Sequence, residues 1–224
     1  MSLIKIIKTE DGSHSLLNDS LNETYHSTHG AIQESIHVFI RNGLQFFANK
    51  KSEIKVFEVG FGTGLNAFLA IQFSIEHKIK VDYTSIETFP IHWSLASQLN
   101  YADLISFENG KTLFEKIHQC EWNKEIQINE FFSLTKLHQT IQSTILKDEN
   151  FDVVFFDAFA PSKQPELWEL SVLEKTIHSL KSNGVFVTYC AQGQLKRNLK
   201  QLGMKVESLP GPPGKREMVR AIKL

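Results

Sequence analysis

Val56-Phe57-Glu58-Val59-Gly60-Phe61-Gly62-Thr63-Gly64-Leu65-Asn66 decides how this chain is read. An apolar strand runs into three glycines at alternate positions, and a helical pattern begins at once. Only glycine lets a backbone turn that sharply and leaves room for a ligand to touch it. The helix that follows presents free N–H groups and a partial positive charge to the turn. Such a turn suits a nucleotide-like ligand that carries a carboxylate or a phosphate.

Spacing separates the ligand classes. A dinucleotide fingerprint places glycines at the first, third and sixth positions. Counted from Gly60, the sixth position is Leu65, which disfavours an NAD-linked oxidoreductase. The third glycine comes one residue early, at Gly64, and Glu58 stands just before the turn. This arrangement resembles the first motif of S-adenosylmethionine-dependent methyltransferases. A second anchor is Val81-Asp82-Tyr83-Thr84-Ser85-Ile86-Glu87, read as the next strand with an acid at its C-terminal end. It lies about 20 residues beyond the turn, where a ribose-binding acid is expected. One carboxylate accepts both O–H donors of a ribose diol.

Strands alternating with helices along the chain argue for a mostly parallel sheet covered on both faces. The reading places a hairpin around Asp11-Gly12, a helix within 30–49, strands at 54–59 and 80–87, and helices from Gly64 and over 91–99. Beyond these it places a helix at 107–120, one strand over 125–137 and a buried strand at 151–157. A helix at 165–180, a strand at 184–190 and a helix at 192–202 follow. A closing antiparallel hairpin joins Met204–Ser208 to Met218–Ile222. Ligands of such sheets lie at the carboxyl ends of the strands. Gly60–Gly64, Glu87 and Asp157 all fall on that edge.

At 224 residues one domain is expected, large enough to bury a core without staples. The 17 phenylalanines are mostly assigned to that core. Charges nearly cancel, with 24 basic and 25 acidic residues, so total charge gives no support for a nucleic-acid partner. Cys120 and Cys190 make neither a disulfide framework nor a zinc spacing, and Cys190 reads as a small buried hydrophobe. His26 and His29 have no acid or cysteine at ligand spacing, so no metal is expected. The N-terminus is too short and too charged for a signal peptide, and no apolar run reaches the length of a membrane span. A cytoplasmic location follows as the expectation.

The second informative block is Phe155-Phe156-Asp157-Ala158-Phe159-Ala160-Pro161-Ser162-Lys163-Gln164-Pro165-Glu166-Leu167-Trp168. An acid leaves a buried strand and enters a loop stiffened by two prolines. Phe159 and Trp168 offer aromatic faces, for stacking or for the core. Asp157 is placed to accept a proton or a hydrogen bond from an amine nucleophile.

These blocks, with Tyr25-His26-Ser27-Thr28-His29-Gly30-Ala31 through Glu34 and with Gly214-Lys215-Arg216-Glu217-Met218, resemble one methyltransferase family. Its members finish the methylaminomethyl group on the wobble uridine of tRNA. The chain looks like the stand-alone form of the module that some bacteria fuse to a flavin-dependent oxidoreductase. The resemblance implies a Rossmann-like sheet, S-adenosylmethionine as donor (S-adenosylhomocysteine as product) and 5-aminomethyl-2-thiouridine in the tRNA anticodon loop as acceptor. It implies a functional link to the enzymes that install the aminomethyl group. On the donor side it maps Glu58, Gly60, Phe61, Gly62, Thr63, Gly64, Asn66 and Glu87, with Tyr25 covering the pocket. Asp157 stands beside the transferred methyl. Phe159, Pro161, Lys163, Trp168, Lys215 and Arg216 are mapped to the acceptor. Residues 1–50 form a cover over the donor pocket, and 51–224 form the methyltransferase core. The chain departs from the family pattern after Lys136. Where relatives often carry an acid for the adenine amine, it has His138, Gln139 and Thr140.

From Leu195 onward, eight basic residues face only Glu207 and Glu217, a local excess that can contact phosphates or simply line a solvated surface. Glu34 reads equally as a ligand contact or a surface pair. Two other functions remain open: an aminopropyltransferase acting on a small amine, and a non-catalytic S-adenosylmethionine-binding module.

Overall fold

A computed structural model describes residues 4–224; the first three residues of the N-terminal stretch lie outside them. The chain opens with β1 (Ile4–Lys8), β2 (His14–Asn18), β3 (Glu23–Thr24) and the short helix α1 (Ala31–Ser35). Then come β4 (Glu53–Val59), α2 (Leu65–His77), β5 (Lys80–Glu87), α3 (Trp93–Ala96), α4 (Tyr101–Leu104) and α5 (Gly110–Gln119). The second half holds β6 (Glu125–Asn129), β7 (Phe132–His138), β8 (Phe151–Phe156), α6 (Leu170–His178), β9 (Leu180–Thr188), α7 (Gly193–Gln201), β10 (Met204–Pro210) and β11 (Glu217–Lys223).

Eight strands form the main sheet in the order β10-β11-β9-β8-β4-β5-β7-β6. Pairing is parallel from β9 through β8, β4 and β5 to β7, and antiparallel at both edges. The central strands read as continuous apolar runs because both their faces are covered. All six residues of β8 are buried. Burying each of its phenylalanines contributes roughly 1.5–3 kcal/mol. The strand order reverses between β4 and β8, so a crevice opens at their carboxyl ends. The expected parallel sheet and closing hairpin are both present.

Several elements differ from the expectation. The segment 125–137 is two strands, not one: Asn129 Oδ1 accepts the Phe131 N–H at 2.7 Å and closes a tight turn. The apolar alternation runs through that turn and hides it. The helix at 91–99 is one turn, α3, followed by α4, because Asn100 leaves the helical path to bond the N-terminal unit. It accepts the His14 N–H at 2.8 Å and donates to the Gly12 carbonyl at 3.0 Å. The helix within 30–49 is α1, then a π-helical turn over Ile36–Arg41 and a 3-10 turn over Leu44–Phe46. Gly43 lets the chain pass close to the sheet there: a Cβ at that position would lie 2.7 Å from the Phe155 ring. The helix at 165–180 begins as a 3-10 turn, Pro165–Leu167, before α6.

The N-terminal strands form their own three-stranded sheet, β1-β2-β3. Asp11 ties this sheet to α1. Its Oδ1 accepts from Thr9 Oγ1 at 2.7 Å, and its Oδ2 accepts the Gln33 N–H at 3.1 Å. A residue twenty-two positions away thus supplies the cap that α1 lacks locally. No helix among the described residues is long and apolar enough to cross a membrane.

Candidate functional site

The crevice is a cavity of about 650 Å³, lined by the glycine turn, the carboxyl ends of β5 and β8, the N-terminal sheet and Lys215. This volume lies within the usual range for small-molecule sites.

The turn is fixed from below. The Gly60 and Phe61 N–H groups both reach the Ile86 carbonyl, at 3.0 and 3.3 Å. Gly60, Gly62 and Gly64 all have positive φ, +95°, +48° and +72°. At Gly60 a Cβ would sit 2.6 Å from the Asp157 carbonyl oxygen, so the turn and the Asp157 loop are in backbone contact. Behind the turn, Thr63 is clamped by two histidines. His118 Nε2 donates to its carbonyl at 3.1 Å, and His26 Nε2 pairs with its hydroxyl at 2.7 Å. Burial drops His26 to about 4, against the pull of Glu34, and drops His118 to about 3, so both imidazoles are neutral. Phe61, edge-on to His118 and Trp122, lines the cavity from the same turn. Among the described residues, the N–H groups of Thr63, Leu65 and Asn66 have no partner. They form a donor cluster at the start of α2, suited to an anion.

Glu87 ends β5 with both oxygens anchored: Oε2 accepts the Gly62 N–H at 3.0 Å and Oε1 the Phe89 N–H at 2.9 Å. Each oxygen keeps capacity for another donor. Tyr25 leans over Gly62 at 3.3 Å from the position of a Cβ, with its ring edge-on to Phe159 at 5.0 Å. Burial and the neighbouring Glu87 push its hydroxyl up to about 12.

Three acids meet at the other end. Asn66 divides its amide between two of them: Nδ2 donates to Glu58 Oε1 at 3.1 Å and to Asp157 Oδ2 at 2.7 Å. Its Oδ1 is buried with no partner among the described residues. Glu58 also accepts from Ser85 Oγ at 2.6 Å. Burial lifts Glu58 to about 7 despite these bonds. Burial, with the charges of Glu34 and Glu58, holds Asp157 well above the usual carboxylate range, while Lys215 acts in the opposite direction. Glu34, buried on α1, bonds Lys215.

Of the residues mapped to the donor, Tyr25, Gly60, Phe61, Gly62, Thr63, Asn66, Glu87 and Asp157 line this cavity. Glu58 and Gly64 lie behind it, as supports. The acceptor set divides. Phe159 and Lys215 line the cavity. Trp168 does not: it is buried, packs on Phe156 at 4.8 Å and donates from Nε1 to the Phe159 carbonyl at 2.8 Å. An indole packed on a core strand with its N–H satisfied gains from burial. Lys163 is turned to the Leu21 and Asn22 carbonyls, at 3.0 and 3.1 Å, tying the Pro161 loop to the N-terminal unit. Pro161 shapes that loop outside the cavity lining, and Arg216 is exposed on the connection beyond it. The basic C-terminus is largely paired: Lys196 with Glu217, Lys205 and Arg220 with Glu207, and Lys223 with the His178 and Leu180 carbonyls.

Sequence reasoning did not select Tyr189 or Ile141, and it left Glu34, which lines the cavity, open between a ligand contact and a surface pair. Tyr189 follows the last residue of β9 on the same sheet edge as Asp157, and that position was its available signal. Ile141 lines the cavity just past the polar trio His138–Thr140, so the wall there is apolar. Among the described residues no group of His, Cys, Asp and Glu is arranged to hold a metal ion.

Residues 107–224 match the model of a family described as S-adenosyl-L-methionine-dependent methyltransferases. Among curated proteins, the tRNA 5-methylaminomethyl-2-thiouridine biosynthesis bifunctional protein MnmC of Methylobacillus flagellatus is 27% identical over 208 residues, covering 88% of this chain and 32% of the relative. That of Leptospira interrogans is 29% identical over 226 residues, covering 91% and 33%. The chain thus spans about a third of the length of these curated relatives. Among solved structures, MnmC2 from Aquifex aeolicus matches with a TM-score of 0.80 at 29% identity, over 99% of this chain and 70% of the other.

Proposed function

The chain belongs to this family of S-adenosyl-L-methionine-dependent methyltransferases, and we propose that it methylates the exocyclic amine of 5-aminomethyl-2-thiouridine at the tRNA wobble position. The product is 5-methylaminomethyl-2-thiouridine. The observation that carries this reading is Asp157: a carboxyl raised by burial, bonded through Asn66 to the start of α2, in one cavity with Glu87. The names of the relatives supply the acceptor.

The residues present fit the donor. Glu87, held by two backbone N–H groups, takes the ribose hydroxyls. The free amides at the start of α2 take the methionine carboxylate. The unpartnered Asn66 Oδ1 takes an N–H. Ile141 and Phe89, both on the cavity wall, flank the base in place of an acid. The N-terminal sheet and the segment that follows it act as the cover, with Tyr25 over Gly62. When bound, S-adenosylmethionine supplies a methyl group made electrophilic by its sulfonium.

Aligning the amine with that methyl can supply roughly 7–11 kcal/mol. The acceptor amine must be neutral to attack, and near pH 7 it rests as an ammonium. Asp157 removes that proton. A general base works best when its pKa approaches that of the acid it serves, so a raised carboxyl suits an amine better than an ordinary one. Each positive charge entering the cavity helps draw the proton off Asp157 first.

Incubating the protein with labelled donor and bulk tRNA from a strain lacking its gene, followed by nucleoside analysis, tests the proposal. Label in 5-methylaminomethyl-2-thiouridine is expected, and label in a different nucleoside alone defeats it. An aminopropyl-transfer reading draws on the same cluster of Glu34, Glu58 and Asp157, which suits a polyamine. Putrescine offered as acceptor separates the two.

A further inference from the structure

Lys215 is an alkylammonium already seated in the cavity. It comes from the β10–β11 connection, whose Pro213 and Gly214 are exposed. Its Nζ bonds Glu34 Oε1 and lies 3.8 Å from the centroid of the Tyr189 ring. Both partners are fixed independently of it. The other oxygen of Glu34 accepts the Ser27 N–H at 2.8 Å, and the Tyr189 hydroxyl donates to the Ala158 carbonyl at 2.8 Å. A desolvated carboxylate beside an aromatic face is the chemistry that holds a primary ammonium. Glu34, Tyr189 and Lys215 share the cavity with Asp157 and with the unpartnered Asn66 Oδ1. The lysine side chain has four rotatable carbons and leaves a site by rotamer change alone.

We propose that Glu34 and the Tyr189 ring form a subsite for the primary ammonium group of the acceptor, and that Lys215 fills this subsite until the acceptor displaces it. The proposal rests on the reading of the acceptor as an amine. It makes Glu34 and Tyr189 specificity-determining residues: they select a group that can present R–CH2–NH3+, and they hold it next to the carboxyl that takes its proton. Lys215 keeps the two acids of this corner from facing one another without a counter-charge while no acceptor is present.

Binding of n-propylammonium, measured calorimetrically with S-adenosylhomocysteine at saturation, tests the subsite without RNA and without turnover. Lys215→Met is expected to bind it at least tenfold more tightly than the wild type. Adding Glu34→Gln or Tyr189→Leu to Lys215→Met is expected to remove that gain, whereas adding Tyr189→Phe, which keeps the ring, preserves most of it. Lys215→Ala serves as the second variant should the methionine variant not fold. The proposal is overturned if neither Lys215 variant binds the amine better than the wild type, or if Glu34→Gln and Tyr189→Leu leave the gain intact. Failure to label tRNA would strike the wobble-uridine reading alone, and labelled tRNA without any amine-binding gain would strike the subsite alone.

Discussion

Asn66 spends both amide hydrogens on acids, one on Glu58 and one on Asp157. The second residue of α2 therefore also aims the carboxyl that the proposed mechanism sets against the acceptor amine. Replacing Asp157 and Glu87 separates the two halves of the chemistry. Asp157→Asn keeps the Asn66 contact geometry and removes the base. Turnover at saturating substrates should fall by 10²-fold or more, with donor affinity changed by only a few-fold. Glu87→Ala should act in reverse: two hydrogen bonds to a charged acceptor are lost, each contributing about 1.5–3 kcal/mol. Donor Kd, measured by calorimetry, should rise by at least tenfold, while the rate at saturating donor falls less. Sequence alone made the acids at strand ends legible, because a carboxylate at the carboxyl end of a parallel strand has few structural reasons to be there. It did not make Tyr189 legible, because a tyrosine after an apolar strand looks like core. It left Trp168 open between stacking and the core and mapped Lys163 to the acceptor, and the structure turns both to backbone carbonyls that no sequence pattern reveals.

Among the elements, the N-terminal sheet and α1 depend on one another through Asp11. A five-residue helix has too few internal bonds to stand alone, and its Gln33 N–H is satisfied only from the Asp11-Gly12 turn. Loss of a cap of this kind costs about 1 kcal/mol. Asp11→Ala should lower the melting temperature by a few degrees. Hydrogen exchange should quicken in β1, β2 and α1 while β4 and β8 keep their protection. Unchanged exchange in α1 would count against the coupling. The parallel strands were readable because their residues are apolar on both faces. The hairpin of β6 and β7 was not, because its turn residues sit inside a continuous alternation. The break after α1 escaped as well, because the apolar helical spacing persists through Ile36–Arg41 and on to the close approach of Gly43 to Phe155.

For the molecule as a whole, buried titratable groups set opposing dependences on pH. His26 and His118 have folded values near 4 and 3, below the unfolded value near 6.5. Their contribution is present above pH 6.5 and is lost as pH falls through those folded values. Glu58 has a folded value of about 7, above its unfolded value of 4.5. Its contribution is present below pH 4.5 and is lost as pH rises through 7. The ligand-free protein should therefore be most stable in mildly acidic buffer. Glu58→Gln should raise the melting temperature at pH 8 by several degrees and leave it little changed at pH 4.5. A variant that melts with the wild type at both pH values would show that Glu58 is not held in its neutral form. Fold class was legible at this scale from alternation and the glycine spacing. The pH behaviour was not, since it depends on which acids the topology brings together.

Gly60 and the Asp157 carbonyl meet with no space for even a methyl group. The glycine turn and the Asp157 loop are therefore one mechanical part, and lengthening either would misalign both. Side chains at Ser20 and Glu23 border the opening away from that joint, so changes there leave its alignment in place.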